Sequence, residues 1–217
     1  MRITHLGHAC VLVESDGGAR LLVDPGTYST GFEELTGLTA VAVTHQHPDH
    51  VDASRLGALA EANPQAPLLL ETETAAALED DRVGAVTPVT AGQKLTVGDL
   101  TVRAIGGRHA VNHERVPTTG NVGYLVHGDG RTFFHPGDSY DETPTDVDVL
   151  GLPLNAPWCR MAETLAFLDA IAPAAVVPIH TGLLNEHGLA GYLMHVDRFG
   201  PDGCDLVDLR PGSSYDV

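Results

Sequence analysis

Residues 45–50 read His45-Gln46-His47-Pro48-Asp49-His50, and four of these six side chains can bind a metal ion. Imidazoles this close repel one another once protonated, whereas a divalent cation turns the same crowding into coordination. The preceding run, Leu38 to Thr44, is short, apolar and β-branched, as a buried strand should be. Pro48 cannot continue that strand, so the cluster belongs to a loop. Beyond it, Asp52 or Ser54 is placed to cap a helix whose apolar positions Leu56, Leu59 and Ala60 share one face. A strand, a loop and a helix thus aim several ligands at a sheet edge. A surface histidine-rich turn is the competing reading, and the folded-looking flanks weigh against it.

One turn cannot supply a whole metal site, and other strand ends offer candidates. Leu100 to Ile105 alternates as a strand and runs into Gly106, Gly107, Arg108 and His109. Arg131 to Phe134 runs into His135, Pro136, Gly137, Asp138 and Ser139, and Ala174 to Ile179 into His180, Thr181 and Gly182. Each strand delivers one possible ligand to the same edge.

Taken in order, these motifs resemble the metallo-β-lactamase-fold hydrolases. The opening segments, Ile3 to Val13 with Leu6-Gly7-His8-Ala9 and Leu21 to Gly26 with Asp24-Pro25-Gly26, are similar to the branch containing L-ascorbate-6-phosphate lactonase and N-acyl phosphatidylethanolamine phospholipase D. The resemblance implies an α/β fold: an αββα sandwich of two mixed β-sheets with helices on the outer faces, built by residues 1–217 as a single domain. It also implies two divalent metal ions. His45, His47 and His109 would bind the first, Asp49, His50 and His180 the second, and Asp138 would bridge them. His113 is the alternative to His109, and Ala110 stands where the family commonly has Ser. Asp24 would hold the ligand loop from behind. Zinc is the first expectation for the ions; manganese and iron suit the same thiolate-free ligands.

Departures from the family pattern narrow the function. His47 occupies the place where the di-iron, oxygen-reducing branch has Glu, which favours hydrolysis. Asp138 argues against antibiotic hydrolysis, and no long insertion of the nucleic-acid-processing kind fits between Asp138 and His180. The implied activity is a metal-dependent hydrolase in which activated water attacks a small-molecule lactone, ester or phosphoester. Asp49 or Asp138 would accept a proton, and His8 leads the candidates for donating one to the leaving group, ahead of His113, His135 and Tyr140. His135 has a second reading, as a brace for the Asp138 loop. Pro153, Asn155, Pro157 and Trp158 could wall a substrate pocket, although Trp158 could equally pack the helix beginning near Arg160. Arg108 and Arg115 could hold an anionic group such as phosphate. A phosphodiesterase or nuclease of the same fold and a non-catalytic metal-binding protein are the alternatives.

Composition bounds these readings. The 217 residues are 43% hydrophobic, enough for one sizeable core. The formal charge of −17, from 29 acidic and 12 basic residues, repels phosphate backbones and disfavours nucleic acid as a partner. No apolar run reaches membrane-spanning length and Met1 to Val13 lacks a signal-peptide pattern, so a soluble, cytoplasmic protein is expected. Cys10, Cys159 and Cys204 are scattered and read as reduced thiols. Oligomeric state stays open, a homo-oligomer included. Strands are predicted at 2–6, 9–14, 19–23, 40–44, 67–70, 100–105, 121–127, 131–134, 147–150, 174–178 and 204–208, and helices at 52–62, 72–79, 160–171 and 186–199, with turns at Asp16-Gly17-Gly18 and Asp129-Gly130.

Overall fold

The computed structural model describes residues 1–79 and 84–217. Its first half places β1 (Arg2–His5), β2 (Val11–Glu14), β3 (Arg20–Val23), β4 (Ala40–Val43), β5 (Leu68–Glu71) and β6 (Val86–Val89) in one sheet, with helices α1 (Ala53–Ala62) and α2 (Thr72–Ala77) between the later strands. The second half repeats the plan with β7 (Lys94–Val97), β8 (Leu100–Gly106), β9 (Val122–Gly128), β10 (Arg131–His135), β11 (Val149–Pro153), α3 (Met161–Ile171), β12 (Ala175–Ile179), α4 (Glu186–Phe199) and β13 (Asp205–Leu206). The last strand, β14 (Ser214–Asp216), returns to pair antiparallel with β1. Two mixed seven-stranded sheets result, as expected of an αββα sandwich.

Strand alternation decides which layer each side chain joins. In β4, Ala40 and Ala42 face the other sheet, while Val41 and Val43 pack with Leu56 and Leu59 of α1. In β12, Ala175, Val177 and Ile179 face between the sheets, and Val176 packs with Phe167, Leu168 and Ile171 of α3 and Val196 of α4. Strands buried on both faces read as continuous apolar runs, which is why these were legible.

Strand direction places the loops. β1 and β3 both pair antiparallel with β2, and β4 pairs parallel with β3, so β1, β3 and β4 run the same way. β8 and β10 both pair antiparallel with β9, and β11 and β12 follow β10 in parallel. The loops bearing His8, Asp24, His45 to His50, His109, Asp138 and His180 each follow one of these co-directional strands.

Three strands were not predicted. β6 carries Pro88 and is largely exposed, β7 begins at Lys94 and buries only Val97, and β14 is a three-residue polar segment. Such strands lack the apolar run or clean alternation that marks a strand. The strand predicted at 147–150 is displaced to Val149–Pro153, because Asp148 turns its carboxylate to accept the Thr132 N–H at 2.8 Å. The strand expected at 204–208 pairs only over Asp205–Leu206, and the helix expected at 72–79 ends at Ala77. Asp52, not Ser54, caps α1, accepting from the backbone N–H groups of Ser54 and Arg55.

Tyr124 ties the sheets together. It rises from β9 into the inter-sheet core, fully buried, and its hydroxyl lies 3.0 Å from both the Val43 and the Leu69 carbonyls in the opposite sheet. Tyr124→Phe is expected to lower unfolding free energy by about 1–3 kcal/mol, the cost of unpairing buried polar groups, as a shift in urea midpoint at constant slope.

Candidate metal centre

The loop from Thr44 to Asp52 takes its shape from Asp24, a fully buried residue. One Asp24 oxygen accepts the Thr44 backbone N–H at 2.8 Å, and the other accepts the Thr44 hydroxyl and His50 Nδ1–H, both at 2.7 Å. With its proton given to Asp24, the Thr44 hydroxyl is left to accept from His45 Nδ1, 3.0 Å away. One carboxylate therefore sets two ring orientations. The loops touch closely: a Cβ at Gly26 would lie 1.8 Å from the Asp49 backbone oxygen.

Tautomers follow from the partners. His109 Nδ1 lies 2.6 Å from the Ala110 carbonyl and His180 Nδ1 lies 2.6 Å from the Asn155 carbonyl. Carbonyl oxygens only accept, so each Nδ1 carries a proton and each Nε2 is the atom left to take a metal ion or a second proton. The Nε2 atoms of His50, His109 and His180 are buried and have no hydrogen-bond partner among the described residues, and the same is true of Asp138 Oδ1. These atoms converge. Asp138 Oδ1 is 3.1 Å from His50 Nε2, while Oδ2 is 3.3 Å from His109 Nε2 and 3.2 Å from His180 Nε2. A carboxylate oxygen and a bare imidazole nitrogen repel at that separation unless a proton or a metal cation lies between them.

Potential ligand atoms form two groups, each within 4.8 Å: His45, His47, His109 and Asp138, and His8, Asp49, His50 and His180. Imidazole and carboxylate donors of this kind fit divalent zinc, manganese or iron. His8 differs from the rest. The Gly182 N–H donates to His8 Nδ1 at 3.0 Å, which leaves the proton on Nε2, and that atom faces Asp49 Oδ2 at 3.0 Å. His8 thus presents an N–H to Asp49, not a lone pair.

The Asp138 loop is braced from below. Buried His135 donates from Nε2 to the Ala9 carbonyl at 2.8 Å and accepts the Gly137 N–H on Nδ1 at 3.2 Å. Asn121 accepts the Asp138 N–H at 3.0 Å and donates to the Pro136 carbonyl at 3.0 Å. Gly137 has φ +64°, and a Cβ there would lie 2.3 Å from Asn121 Oδ1. Trp158 completes the setting by donating from its indole N–H to Asp138 Oδ2 at 2.9 Å.

Several expected residues lie elsewhere. His113 is exposed and only accepts the Arg115 N–H, so the structure brings His109 and not His113 to Asp138. Arg108 is exposed and paired with Glu73 at 3.0 Å, and Arg115 is exposed. The Tyr140 hydroxyl donates to the Pro153 carbonyl at 2.5 Å and is 3.1 Å from the Thr164 hydroxyl, and burial pushes its pKa up, so it is no proton source. Both His135 nitrogens are likewise occupied, which leaves it the bracing role. Thr44, Asn121 and the Trp158 indole N–H were not anticipated, since each acts through a partner distant in sequence.

Charge in the cluster is shared. Burial alone would depress His50 and His180, but the Asp138 carboxylate outweighs it, raising His180 to about 9 and His50 well above the usual imidazole value. Burial would raise Asp138, yet the His50 and His180 charges hold it well below the carboxylate range. Burial would likewise raise Asp49, which hydrogen bonds with His180 and His8 hold low. Burial lowers His45 strongly and pushes His8 down to about 4. The Asp138 carboxylate thus favours positive charge at the His50 and His180 rings, which a metal ion would equally supply.

A sequence model of the β-lactamase superfamily domain matches residues 2–180. Protein Rv0786c of Mycobacterium tuberculosis is 46% identical over 187 residues, covering 85% of each chain. A UPF0173 metal-dependent hydrolase of Methanopyrus kandleri is 27% identical over the full length of both chains. Among solved structures, Igni18, a metallo hydrolase of the archaeon Ignicoccus hospitalis, superposes with TM-score 0.72 at 19% identity, covering 100% of this chain and 98% of that one. By sequence and by fold, the chain belongs to the β-lactamase superfamily.

Proposed function

We propose that this chain is a metal-dependent hydrolase whose two divalent ions are held by His45, His47 and His109 on one side and Asp49, His50 and His180 on the other, with Asp138 between them. The observation that carries this reading is the set of buried, unpartnered atoms: the Nε2 atoms of His50, His109 and His180, facing the one Asp138 carboxylate. Zinc is the first expectation, with manganese or iron as alternatives. When bound, such ions supply activated water and polarise the bond under attack. The substrate is a small-molecule lactone, ester or phosphoester. No described helix is long and apolar enough to cross a membrane.

The chain's own groups do the positioning. Asp24, through Thr44, fixes the His45 and His50 rings. Asp49 and Asp138, both held ionised, are the bases within reach of an attacking water. His8 is assigned outside the ligand set. Its Nε2–H steers Asp49, and as a neutral imidazole with a pKa near 4 it is better suited to orienting that carboxylate than to donating a proton near neutrality.

Elemental analysis separates these roles. His180→Ala is expected to lose about one of two ions and most hydrolytic activity, while His8→Ala keeps both ions and loses roughly 10- to 100-fold in metal affinity or rate. Equal ion loss in the two variants would make His8 a ligand; unchanged ion content in His180→Ala would remove His180 from the set.

Metal uptake is also expected to release protons. His50 and His180 are raised in the ion-free protein, so at neutral pH each proton must leave before a metal binds. Apparent metal affinity should rise from pH 6 towards 9, and titration calorimetry in buffers of different ionisation enthalpy should show about one to two protons released per chain. Uptake without proton release would contradict the assignment of these two residues.

A further inference from the structure

Beside the ligand cluster lies a second, larger cavity. The pocket over the candidate ligands has a volume of about 310 Å³, and an open cavity of about 720 Å³ shares His109 and Trp158 with it as common wall. The large cavity runs between the loop after β8 and one face of α3, where Ala166 and Ala170 leave the room that larger side chains would fill.

Its aromatic wall has turned its polar atoms away. The Tyr140 ring stacks on Phe167 with centroids 4.6 Å apart and meets Trp158 edge-on at 4.9 Å. The Tyr140 hydroxyl is engaged with Pro153 and Thr164, and the Trp158 N–H with Asp138. Ring surfaces are what these two residues offer to a ligand. Exposed large apolar side chains gather at the same openings: Val111 lines the larger cavity, and Tyr28 and Leu183 line the smaller pocket. Solvent-facing apolar groups around a cavity mark a binding surface for apolar matter.

Charge at the larger cavity disfavours an anionic group there. Among the described residues no Lys or Arg lines the smaller pocket, and Arg108 is the one Lys or Arg lining the larger, where Glu73 already pairs with it at 3.0 Å. Asp141 and Glu163 add negative charge to the larger cavity. Asn112 lines the smaller pocket with its buried side-chain oxygen unpartnered, an acceptor that repels anionic oxygen and suits a neutral N–H or O–H.

We propose that the substrate is an uncharged carboxylic ester or lactone bearing an aryl or short alkyl group, that this group lies against Trp158, Tyr140 and the α3 alanines, and that phosphomonoesters are poorer substrates. This rests on the hydrolase reading above and narrows it. Hydrolysis adds water across the acyl C–O bond: hydroxyl goes to the acyl carbon, the proton to the departing oxygen, and no oxidant or reductant is needed.

Matched compounds test it. With the zinc- or manganese-loaded protein, kcat/KM for methyl phenylacetate should exceed that for methyl acetate at least tenfold, because the leaving group is the same and only the aryl group differs. Phenyl acetate should be cleaved faster than phenyl phosphate. Phenylacetone, which cannot be hydrolysed, should saturably change the emission of Trp158, the sole tryptophan. Ala170→Phe, filling the cavity from the helix surface, should weaken that binding at least tenfold and shrink the methyl phenylacetate to methyl acetate ratio; Ala166→Leu is the second variant. Equal turnover of the two methyl esters, faster turnover of phenyl phosphate than phenyl acetate, or no saturable phenylacetone response would overturn the substrate class while leaving the hydrolase reading intact. Saturable phenylacetone binding without cleavage of any ester or phosphoester would overturn the hydrolase reading and the ester assignment with it.

Discussion

A carboxylate sealed from water is the constraint on which the centre depends. Asp24 is fully buried, and a buried carboxylate is tolerated only when its lone pairs are filled. Here the donors are a backbone N–H, a hydroxyl and an imidazole, all at 2.7–2.8 Å. Each donor belongs to the loop that carries the candidate ligands, so satisfying Asp24 and shaping that loop are one event. Through Thr44 the effect reaches His45, a residue Asp24 does not itself contact by hydrogen bond. The ring nitrogens that face inward are those the outer partners leave free.

The sheets supply the rest by direction alone. Both contain an antiparallel half and a parallel half, and the strands preceding the cluster loops share a direction within each sheet. Gathering loops from both sheets at one edge forces tight turns. His8, Asp24 and His180 adopt left-handed backbone with φ of 50°, 52° and 56°, three of the six described non-glycine residues that do so. For residues with side chains this conformation is unfavourable, and it concentrates where several loops must meet.

The parts legible in the sequence were those whose signal is local. The His45 to His50 tract, the apolar strands before His109, Asp138 and His180, and the helices over 161–171 and 186–199 each declare themselves within about fifteen residues. The edge strands β6, β7 and β14 did not, since partial exposure, Pro88 and polar composition erase alternation. Supporting residues were hidden for another reason. Asn121 earns its place only by meeting Asp138, and Thr44 by meeting Asp24, contacts that exist once the chain has folded. The same holds for His8: sequence places it beside a glycine near the edge, but its tautomer is dictated by Gly182, 174 positions away.

The pairing of β1 with β14 and the return of His180 to the loop at 45–50 give the molecule a high contact order. During synthesis the loop at 45–50 emerges early, with Asp138 and His180 far behind it. A nascent chain that has reached β9 displays a histidine-rich loop without the carboxylate that lies between its rings in the finished protein. The compact cluster is complete only where β12 lies beside β11 and His180 lies against Asp138. A candidate ligand set gathered from residues 45 to 180 thus exists only when most of the chain has reached its native arrangement.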